Sequence, residues 1–176
     1  MKKIILITGG QRSGKSSYAE KLALALSTHP VYMATARAWD EEFGERIARH
    51  QQRRGPQWTN IEELQQLSRH DVTGQVVVID CITLWCTNFF YEQQTAEQEA
   101  PWNVDGLLQK MKDEFDKFTA QNATFIFVTN EIGSGSVSHN QVQRRFTDLQ
   151  GWFNQYAAER SNEVILMVSG IPVKIK

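Results

Sequence analysis

The sequence predicts an α/β fold whose central sheet is largely parallel. Short apolar segments alternate along the chain with longer segments in which apolar residues have helical spacing, the pattern of strands joined by helices. Residues 76–80 are apolar on both faces, as expected of a central parallel strand. A glycine-rich turn follows the first apolar segment and leads into a helical one, so the first unit is strand, turn and helix.

The predicted elements follow one another in a regular order. Strands are predicted at residues 4–8, 31–35, 76–80, 125–129 and 164–168, with a short last strand at 173–176. Helices are predicted at 16–26, at 41–54, and within 104–118 and 142–156, where apolar side chains recur at three- and four-residue intervals. The polar stretch 91–103 is predicted to be a surface loop. Without an internal repeat or linker, residues 1–176 are expected to form a single domain.

Composition narrows the class of protein. The 176 residues carry 19 basic and 20 acidic side chains, a net charge of -1, which gives no electrostatic basis for binding nucleic acid. Cys81 and Cys86 form neither a disulfide framework nor a zinc spacing, and we interpret them as reduced, partly buried thiols of a cytoplasmic protein. The first apolar segment is too short for a signal peptide, and no segment is long enough to span a membrane.

Residues 9–16 fit the phosphate-binding pattern G-x-x-x-x-G-K-[ST] in full. Their sequence is Gly9-Gly10-Gln11-Arg12-Ser13-Gly14-Lys15-Ser16. Glycines permit a tight turn in which backbone N–H groups point at phosphate oxygens, and the following helix adds its positive N-terminal end. Lys15 is expected to reach the β- and γ-phosphates, Ser16 to ligate Mg²⁺, and Arg12 to add a phosphate contact. The alternative, a glycine turn that happens to precede a helix, leaves the match of strand, loop and helix unexplained.

Asp80 ends the apolar strand at 76–80 and is a candidate to hold Mg²⁺ through water. The alternative is a helix N-cap or a structural hydrogen bond. The phosphate loop alone does not separate a kinase from a GTPase or a motor. The guanine-reading tetrapeptide Asn-Lys-x-Asp is missing from the sequence, since Asn130 is followed by Glu131, and the chain is short for a motor ATPase.

His50 lies in a basic helical segment. Glu42, Arg46 and His50 share one predicted helix face, with further arginines at 49, 53 and 54. These arginines favour the neutral imidazole and can bind the phosphates of the nucleotide that it attacks, so His50 is a candidate nucleophile toward phosphorus. The alternative is a solvated charged helix with an incidental histidine.

Motifs along nearly the whole chain resemble one family, the bifunctional adenosylcobinamide kinase and adenosylcobinamide-phosphate guanylyltransferase of cobalamin biosynthesis. The matching segments are residues 8–16 with 19–20, 34–37, 40–42, 46–50 with 54, 80–85 with 87–88, 128–133, 145–146 with 148, 151, 154–155, and 169–172 with 174 and 176. The phosphate loop is generic. The specific signals are Arg-Ile-x-x-His, Asn-Glu-x-Gly and Gly-Ile-Pro in this order.

The resemblance implies a phosphate-loop NTPase of the RecA-like class, with three layers, that assembles as a homotrimer. It implies phosphorylation of adenosylcobinamide by ATP or GTP, then transfer of GMP from GTP to the resulting phosphate through a guanylylated histidine, at His50. Lys15 is implied to act beside it in catalysis, with Mg²⁺ and no tightly bound organic cofactor. The implied nucleotide contacts are Gly9, Gly10, Gln11, Arg12, Ser13, Gly14, Lys15, Ser16, Thr35, Ala36, Arg37, Gln51, Gln52, Arg53, Arg54, Glu62 and Asp80.

The segment from Asn130 follows a predicted strand and is expected to face the ligand crevice. Glu131 is a candidate to orient the substrate hydroxyl or a metal-bound water, and the alternative is a carboxylate that braces its loop. Ser138 and His139 stand where the family often has Pro-Glu, which leaves the loop less rigid and removes one carboxylate from a possible substrate contact.

Two other classes of protein remain as rivals. A phosphate-loop small-molecule kinase without nucleotidyl transfer would need the loop but not His50. A nucleotide-switched binding protein would hydrolyse GTP slowly and present a partner surface. The expected substrates of the enzyme are adenosylcobinamide and its phosphate. Nucleotide turnover that requires a corrinoid would therefore argue against the switch protein.

Overall fold

The computed structural model describes residues 2–37, 54–96 and 103–176. Within this part of the chain the strands are β1 (Lys3–Gly9), β2 (Val31–Ala34), β3 (Thr59–Glu62), β4 (Val76–Asp80), β5 (Thr124–Val128), β6 (Glu163–Val168) and β7 (Ile171–Lys174). The helices are α1 (Lys15–Leu26), α2 (Ile82–Ala96), α3 (Val104–Thr119) and α4 (Gln141–Arg160), with a 3₁₀ turn at Leu67–Arg69.

All these strands belong to one sheet in the order β3-β2-β4-β5-β1-β6-β7. Every neighbouring pair from β3 to β6 is parallel, and β7 is antiparallel to β6. The predicted largely parallel sheet is therefore confirmed. The carboxyl ends of β1, β2, β4, β5 and β6 lie along one edge, where ligands bind in folds of this class.

Helices cover both faces of the sheet, because successive strand residues point to opposite sides. On one face α1 packs its buried alanines, Ala19 and Ala23, against apolar residues of β1, β4, β5 and β6. On the other face α2, α3 and α4 contribute the larger side chains, among them Trp85, Phe115 and Phe153. The resulting three layers are those predicted, and they hold β1 and α1 at fixed relative positions.

The predicted loop at 91–103 is wrong for its first part, since α2 continues to Ala96. Nothing in the sequence indicates the start of this helix at Ile82. Trp85 and Cys86 are both fully buried, and a helix that is enclosed on most sides lacks the amphipathic spacing that identifies helices in a sequence. Its polar end is rich in Gln, Glu and Ala, which favour helix, so polarity alone did not indicate a loop.

Two strand predictions also need correction. β3 was missed because it is a short edge strand whose side chains are mostly exposed and show no alternation. The last strand is Ile171–Lys174 instead of 173–176, because Ser169 and Gly170 form a two-residue turn with φ of 51° and 86° and pair Val168 with Ile171. Pro172 is tolerated because β7 is an edge strand.

The remaining predictions concern the charged helix, the two cysteines and the absence of a membrane span. The charged helix predicted at 41–54, including His50, lies outside the described residues except for Arg54. Cys81 and Cys86 form no disulfide, and both are buried instead of partly buried as expected. Among the helices that the structure describes, none has the length and apolar character needed to cross a membrane.

Candidate active site

The loop predicted to bind phosphate connects β1 to α1 at the carboxyl edge of the sheet. Gly9, Arg12 and Gly14 have φ of 146°, 59° and 95°, a backbone path that lets successive N–H groups face a common centre. Within the loop Ser13 N donates to Gly10 O over 3.3 Å. The loop therefore has the backbone conformation that a phosphate cradle requires.

Both the backbone conformation and the lack of room for a Cβ require glycine at position 9. A Cβ added there would lie 2.5 Å from Met167 O and 2.9 Å from Ser13 Oγ. Gly14 has a Cβ position 3.3 Å from Gly170 Cα, and Gly170 N donates to Ser13 O over 3.0 Å. The β6–β7 turn thus supports the outer side of the loop, which gives the Ser-Gly segment of the family motif a structural role.

Lys15 is the first residue of α1, and its ammonium points into the loop. Its Nζ donates to Gly10 O over 2.6 Å, and only 7% of the residue is exposed. Burial lowers the pKa of Lys15, while electrostatic interactions with nearby Cys81 and Asp80 act in the opposite direction. A phosphate oxygen would compete with Gly10 O for this buried donor, and its charge would stabilise the ammonium.

Asp80 ends β4 and is bonded to Tyr32 of β2, whose hydroxyl donates to Asp80 Oδ2 over 2.6 Å. Burial raises the pKa of Tyr32, and the Asp80 carboxylate raises it further, so the phenol stays a donor at physiological pH. The Arg54 guanidinium lies 3.6 Å from the centroid of the Tyr32 ring, and Trp58 contacts that ring edge-on. The structural hydrogen bond considered as an alternative for Asp80 is therefore present, and it uses one carboxylate oxygen.

Thr35 follows β2 and is fully buried. Its hydroxyl donates to Cys81 O and accepts from Cys81 N, both over 2.8 Å, and its carbonyl accepts from Asn88 Nδ2. These bonds tie the ends of β2 and β4 together. Ala36 and Arg37 continue toward the surface, and Glu62 lies at the exposed end of β3. A nucleotide contact by this group of residues stays a prediction.

Asn130 follows β5 and is held by side chains from two helices. Its backbone N and Nδ2 donate to Thr83 Oγ1, and its carbonyl accepts from Gln150 Nε2 over 2.9 Å and from Asn154 Nδ2 over 3.1 Å. Gln150 also donates to Thr83 Oγ1 over 2.6 Å. These bonds indicate that Asn130 has a structural role, fixing the backbone from which Glu131 projects.

Glu131 stands beside the phosphate loop. Its backbone N donates to Gly9 O over 3.1 Å, and its Oε1 accepts from Gly133 N over 3.0 Å. The carboxylate is exposed and contributes to a cavity that also contacts Gly9, Gly10 and Ser13. The loop-bracing role considered for Glu131 is therefore real, and it does not remove the carboxylate from the ligand crevice.

Comparison with known proteins identifies the family. The family model described as cobinamide kinase / cobinamide phosphate guanyltransferase matches residues 5–175. The chain belongs to this family. It is 36% identical to the bifunctional adenosylcobalamin biosynthesis protein CobU of Escherichia coli (strain K12), over 98% of this chain and 99% of the relative. It is likewise 36% identical to the protein CobP of Pseudomonas aeruginosa (strain PAO1), over 97% and 96% of the two chains.

The fold extends beyond the cobinamide kinase / guanyltransferase family. A prototypical ATPase from the type III secretion system of pathogenic bacteria has a similar structure, with a TM-score of 0.60 at 10% identity. The likeness covers 94% of this chain and 51% of that one. At this identity it concerns the fold alone, and it confirms the predicted RecA-like phosphate-loop architecture.

Within this family fold, the structure brings together part of the predicted site. The phosphate loop and the 130–131 segment are in contact through Gly9 and Glu131. Asp80 and Arg54 both contact Tyr32 of β2. Residues 50–53 are outside the described part. Sequence reasoning missed Thr83, Tyr32 and Gln150, because nothing in their local sequence shows that they meet Asn130 or Asp80. Thr83 lies in a segment that matches the family, but its contact with Asn130 depends on the tertiary fold.

Proposed function

We propose that this chain phosphorylates adenosylcobinamide with a nucleoside triphosphate and then transfers GMP from GTP to the new phosphate, yielding adenosylcobinamide-GDP and pyrophosphate. The observation that carries the proposal is a phosphate loop with the Lys15 ammonium inside it, in a chain that matches the family over residues 5–175. The description of the family names two activities, which favours this function over a kinase without nucleotidyl transfer.

In the phosphoryl step, backbone N–H groups of the loop and Lys15 hold the β- and γ-phosphates. The corrinoid hydroxyl oxygen forms a bond to the γ-phosphorus while the bond from that phosphorus to the β–γ bridging oxygen breaks. Glu131, which lies at the loop, accepts the hydroxyl proton. Lys15 leaves Gly10 O and neutralises the charge that develops on the bridging oxygen.

Mg²⁺ fits the residues at this edge, because a carboxylate and a hydroxyl are oxygen donors of the kind it prefers. Ser16, on the first turn of α1, and Asp80, at the end of β4, would hold it. Asp80 lies close enough to Lys15 for its charge to affect that ammonium, and Tyr32 occupies only Oδ2 of the carboxylate. When bound, the ion supplies charge neutralisation for the phosphates.

In the guanylyl step, His50 is the proposed nucleophile. An imidazole nitrogen forms a bond to the α-phosphorus of GTP as pyrophosphate leaves, and an oxygen of the corrinoid phosphate then displaces the imidazole. The position of Arg54 supports this role, since it comes four residues after His50 and lies on the ring of Tyr32, which is bonded to Asp80. Arg54 therefore packs against a side chain that reaches the carboxylate at the end of β4.

The test is to incubate the protein with Mg²⁺ and α-³²P-labelled GTP and to measure acid-labile, alkali-stable label on the polypeptide. We expect label on the wild-type chain and none on His50→Ala, because only a phosphoramidate at His50 retains the α-phosphorus. His139→Ala is the matched control, since His139 is an exposed histidine that should leave the label intact.

Label that survives in His50→Ala would place the covalent step elsewhere. A wild-type protein that binds GTP but takes no label, while it still phosphorylates the corrinoid, would leave the single-activity kinase as the better function. Label from γ-³²P-GTP would indicate phosphorylation in place of guanylylation.

The family resemblance further supports a homotrimer and a cytoplasmic location, with ATP or GTP as phosphoryl donor. We include these in the proposal. Adenosylcobinamide and its phosphate are the proposed small-molecule partners, and the near-neutral net charge of -1 provides no footprint for nucleic acid.

A further inference from the structure

A cavity of about 320 Å³ opens at the carboxyl edge of the sheet, on top of β1. We call it the edge cavity. Its floor is the start of the phosphate loop, at Gly9 and Gly10, and one wall is the segment with Glu131 and Ser134. The opposite wall is the end of β6, including Val168. The edge cavity therefore lies beside the loop, between the elements that flank β1.

The floor places the cavity next to the reacting phosphate. Gly10 contributes to the floor, and its carbonyl is the atom that accepts from Lys15 Nζ. In a phosphate loop this lysine reaches the β- and γ-phosphates, so the terminal phosphate of a bound nucleotide would lie near Gly10. A Cβ built on Gly10 meets no atom within 4 Å, so the space next to this residue is open. A group inside the cavity would consequently lie close to the γ-phosphorus.

Hydrogen bonds hold both walls in place relative to the floor. Glu131 N donates to Gly9 O over 3.1 Å, and Gly170 N, just beyond β6, donates to Ser13 O over 3.0 Å. Gln150 and Asn154 fix the Asn130 carbonyl immediately before Glu131. The edge cavity is therefore preformed, as most small-molecule sites are.

The chemistry of the lining suits a neutral alcohol better than an anion. Among the described residues, those that line the cavity include no Lys or Arg, and their one charged group is the Glu131 carboxylate. Leu166, Met167 and Val168 provide an apolar side, and Val168 is 51% exposed at the rim. A carboxylate repels phosphate but accepts a hydrogen bond from a hydroxyl.

Size limits how much of the acceptor can enter. Pockets that bury drug-sized ligands measure about 300–1,000 Å³, and the edge cavity is at the lower end of that range. A corrinoid is larger than a drug-sized ligand, so only an arm of it fits. The macrocycle would stay outside, against the rim at Val168.

We propose that the edge cavity receives the hydroxyl-bearing arm of the corrinoid acceptor, with Glu131 accepting from the hydroxyl and Val168 contacting the apolar part of the ligand. The assignment rests on the proposed kinase function and adds to it the place where the acceptor binds. It also separates the acceptor from Lys15 and Ser16, since Gly9, Gly10 and Ser13 are the loop residues that line the cavity.

Two substitutions, Val168→Phe and Ser134→Phe, test the proposal by filling the cavity from opposite walls with a neutral group. We expect each to raise the KM for the corrinoid about tenfold or more, because overpacking of a fitted contact is unfavourable on that scale. The KM for the nucleotide and the labelling of the chain by α-³²P-GTP should not change. Leu24→Phe, at an exposed position of α1, is the control for an added aromatic ring.

An unchanged KM for the corrinoid in both variants would overturn the proposal. A parallel rise in the KM for the nucleotide would also overturn it, since the cavity would then belong to the nucleotide site. Thermal unfolding checks each variant, and Ser134→Phe changes an exposed loop residue, so it remains informative if Val168→Phe does not fold. Wild-type protein that binds nucleotide but phosphorylates no corrinoid would reject the proposed function itself, and with it this assignment.

Discussion

The phosphate loop and the segment after β5 lie at the ends of neighbouring strands, but different interactions hold them. Within the loop, the shape comes mainly from positive φ angles at Gly9, Arg12 and Gly14, and the β6–β7 turn supports that shape from outside. The segment at Asn130 and Glu131 depends on side chains of α2 and α4 that are distant in sequence. One edge of a sheet can therefore combine a site whose backbone shape is mainly local with a site that only the tertiary fold creates.

The largest effect is expected from Lys15→Ala, which removes the charged group of the locally determined site. Loss of one transition-state electrostatic contact reduces kcat by about 10²–10³-fold. Steady-state kinase assays with saturating corrinoid measure this change, and Lys21→Ala is the control because Lys21 is exposed on the same helix. A decrease of less than about tenfold would mean that the loop N–H groups, and not Lys15, provide most of the stabilisation.

A pair of glycine substitutions tests how the loop is built. Gly9→Ala should lower the free energy of unfolding by about 1–3 kcal/mol, because its φ of 146° is strained for alanine and the new Cβ would meet Met167 O at 2.5 Å. Gly10→Ala, with nothing within 4 Å of its Cβ, should change it by less than about 0.5 kcal/mol. Urea unfolding without nucleotide measures both, and equal losses would show that contact with β6 is not what requires glycine at position 9.

The smallest effect is expected from Gln150→Met, which alters the segment held by the tertiary fold at nearly constant volume. The substitution removes the hydrogen bonds that Gln150 Nε2 donates to Thr83 and Asn130, which is unfavourable. It also removes Gln150 Oε1, which is buried without a partner among the described residues, and this partly offsets the loss. The net loss of stability should be about 0.5–1.5 kcal/mol. Kinase kcat should decrease severalfold as Glu131 becomes less well placed, while the Kd for nucleotide stays constant.

Gln141→Met, at an exposed position of the same helix, is the control for this substitution. Isothermal titration with nucleotide and kinase assays with corrinoid separate binding from turnover. A Kd that rises together with the loss of kcat would contradict the comparison, because the two regions would then not be separable.

Elements whose structure depends on neighbouring residues in the chain could be predicted from the sequence. Parallel strands that are apolar on both faces, and a loop whose glycines directly follow the first strand, could be predicted because their neighbours in the chain determine them. α2 could not, since Trp85 and Cys86 are enclosed by other elements and leave no amphipathic pattern. Tyr32 and Gln150 give no local signal, because their partners are 48 and 20 residues away.

The position of β1 in the sheet governs when the site can exist. This strand lies between β5 and β6, pairing Lys3 with Thr124 and Ile5 with Glu163. During synthesis the phosphate-binding motif leaves the ribosome long before the strands that flank it, and such distant pairing forms slowly. Met167 and Gly170, which support the loop, arrive later still. Nucleotide therefore cannot bind a complete site in a nascent chain that still lacks β6. A stop codon between the motif and β6 yields a polypeptide that contains the motif but has no complete site.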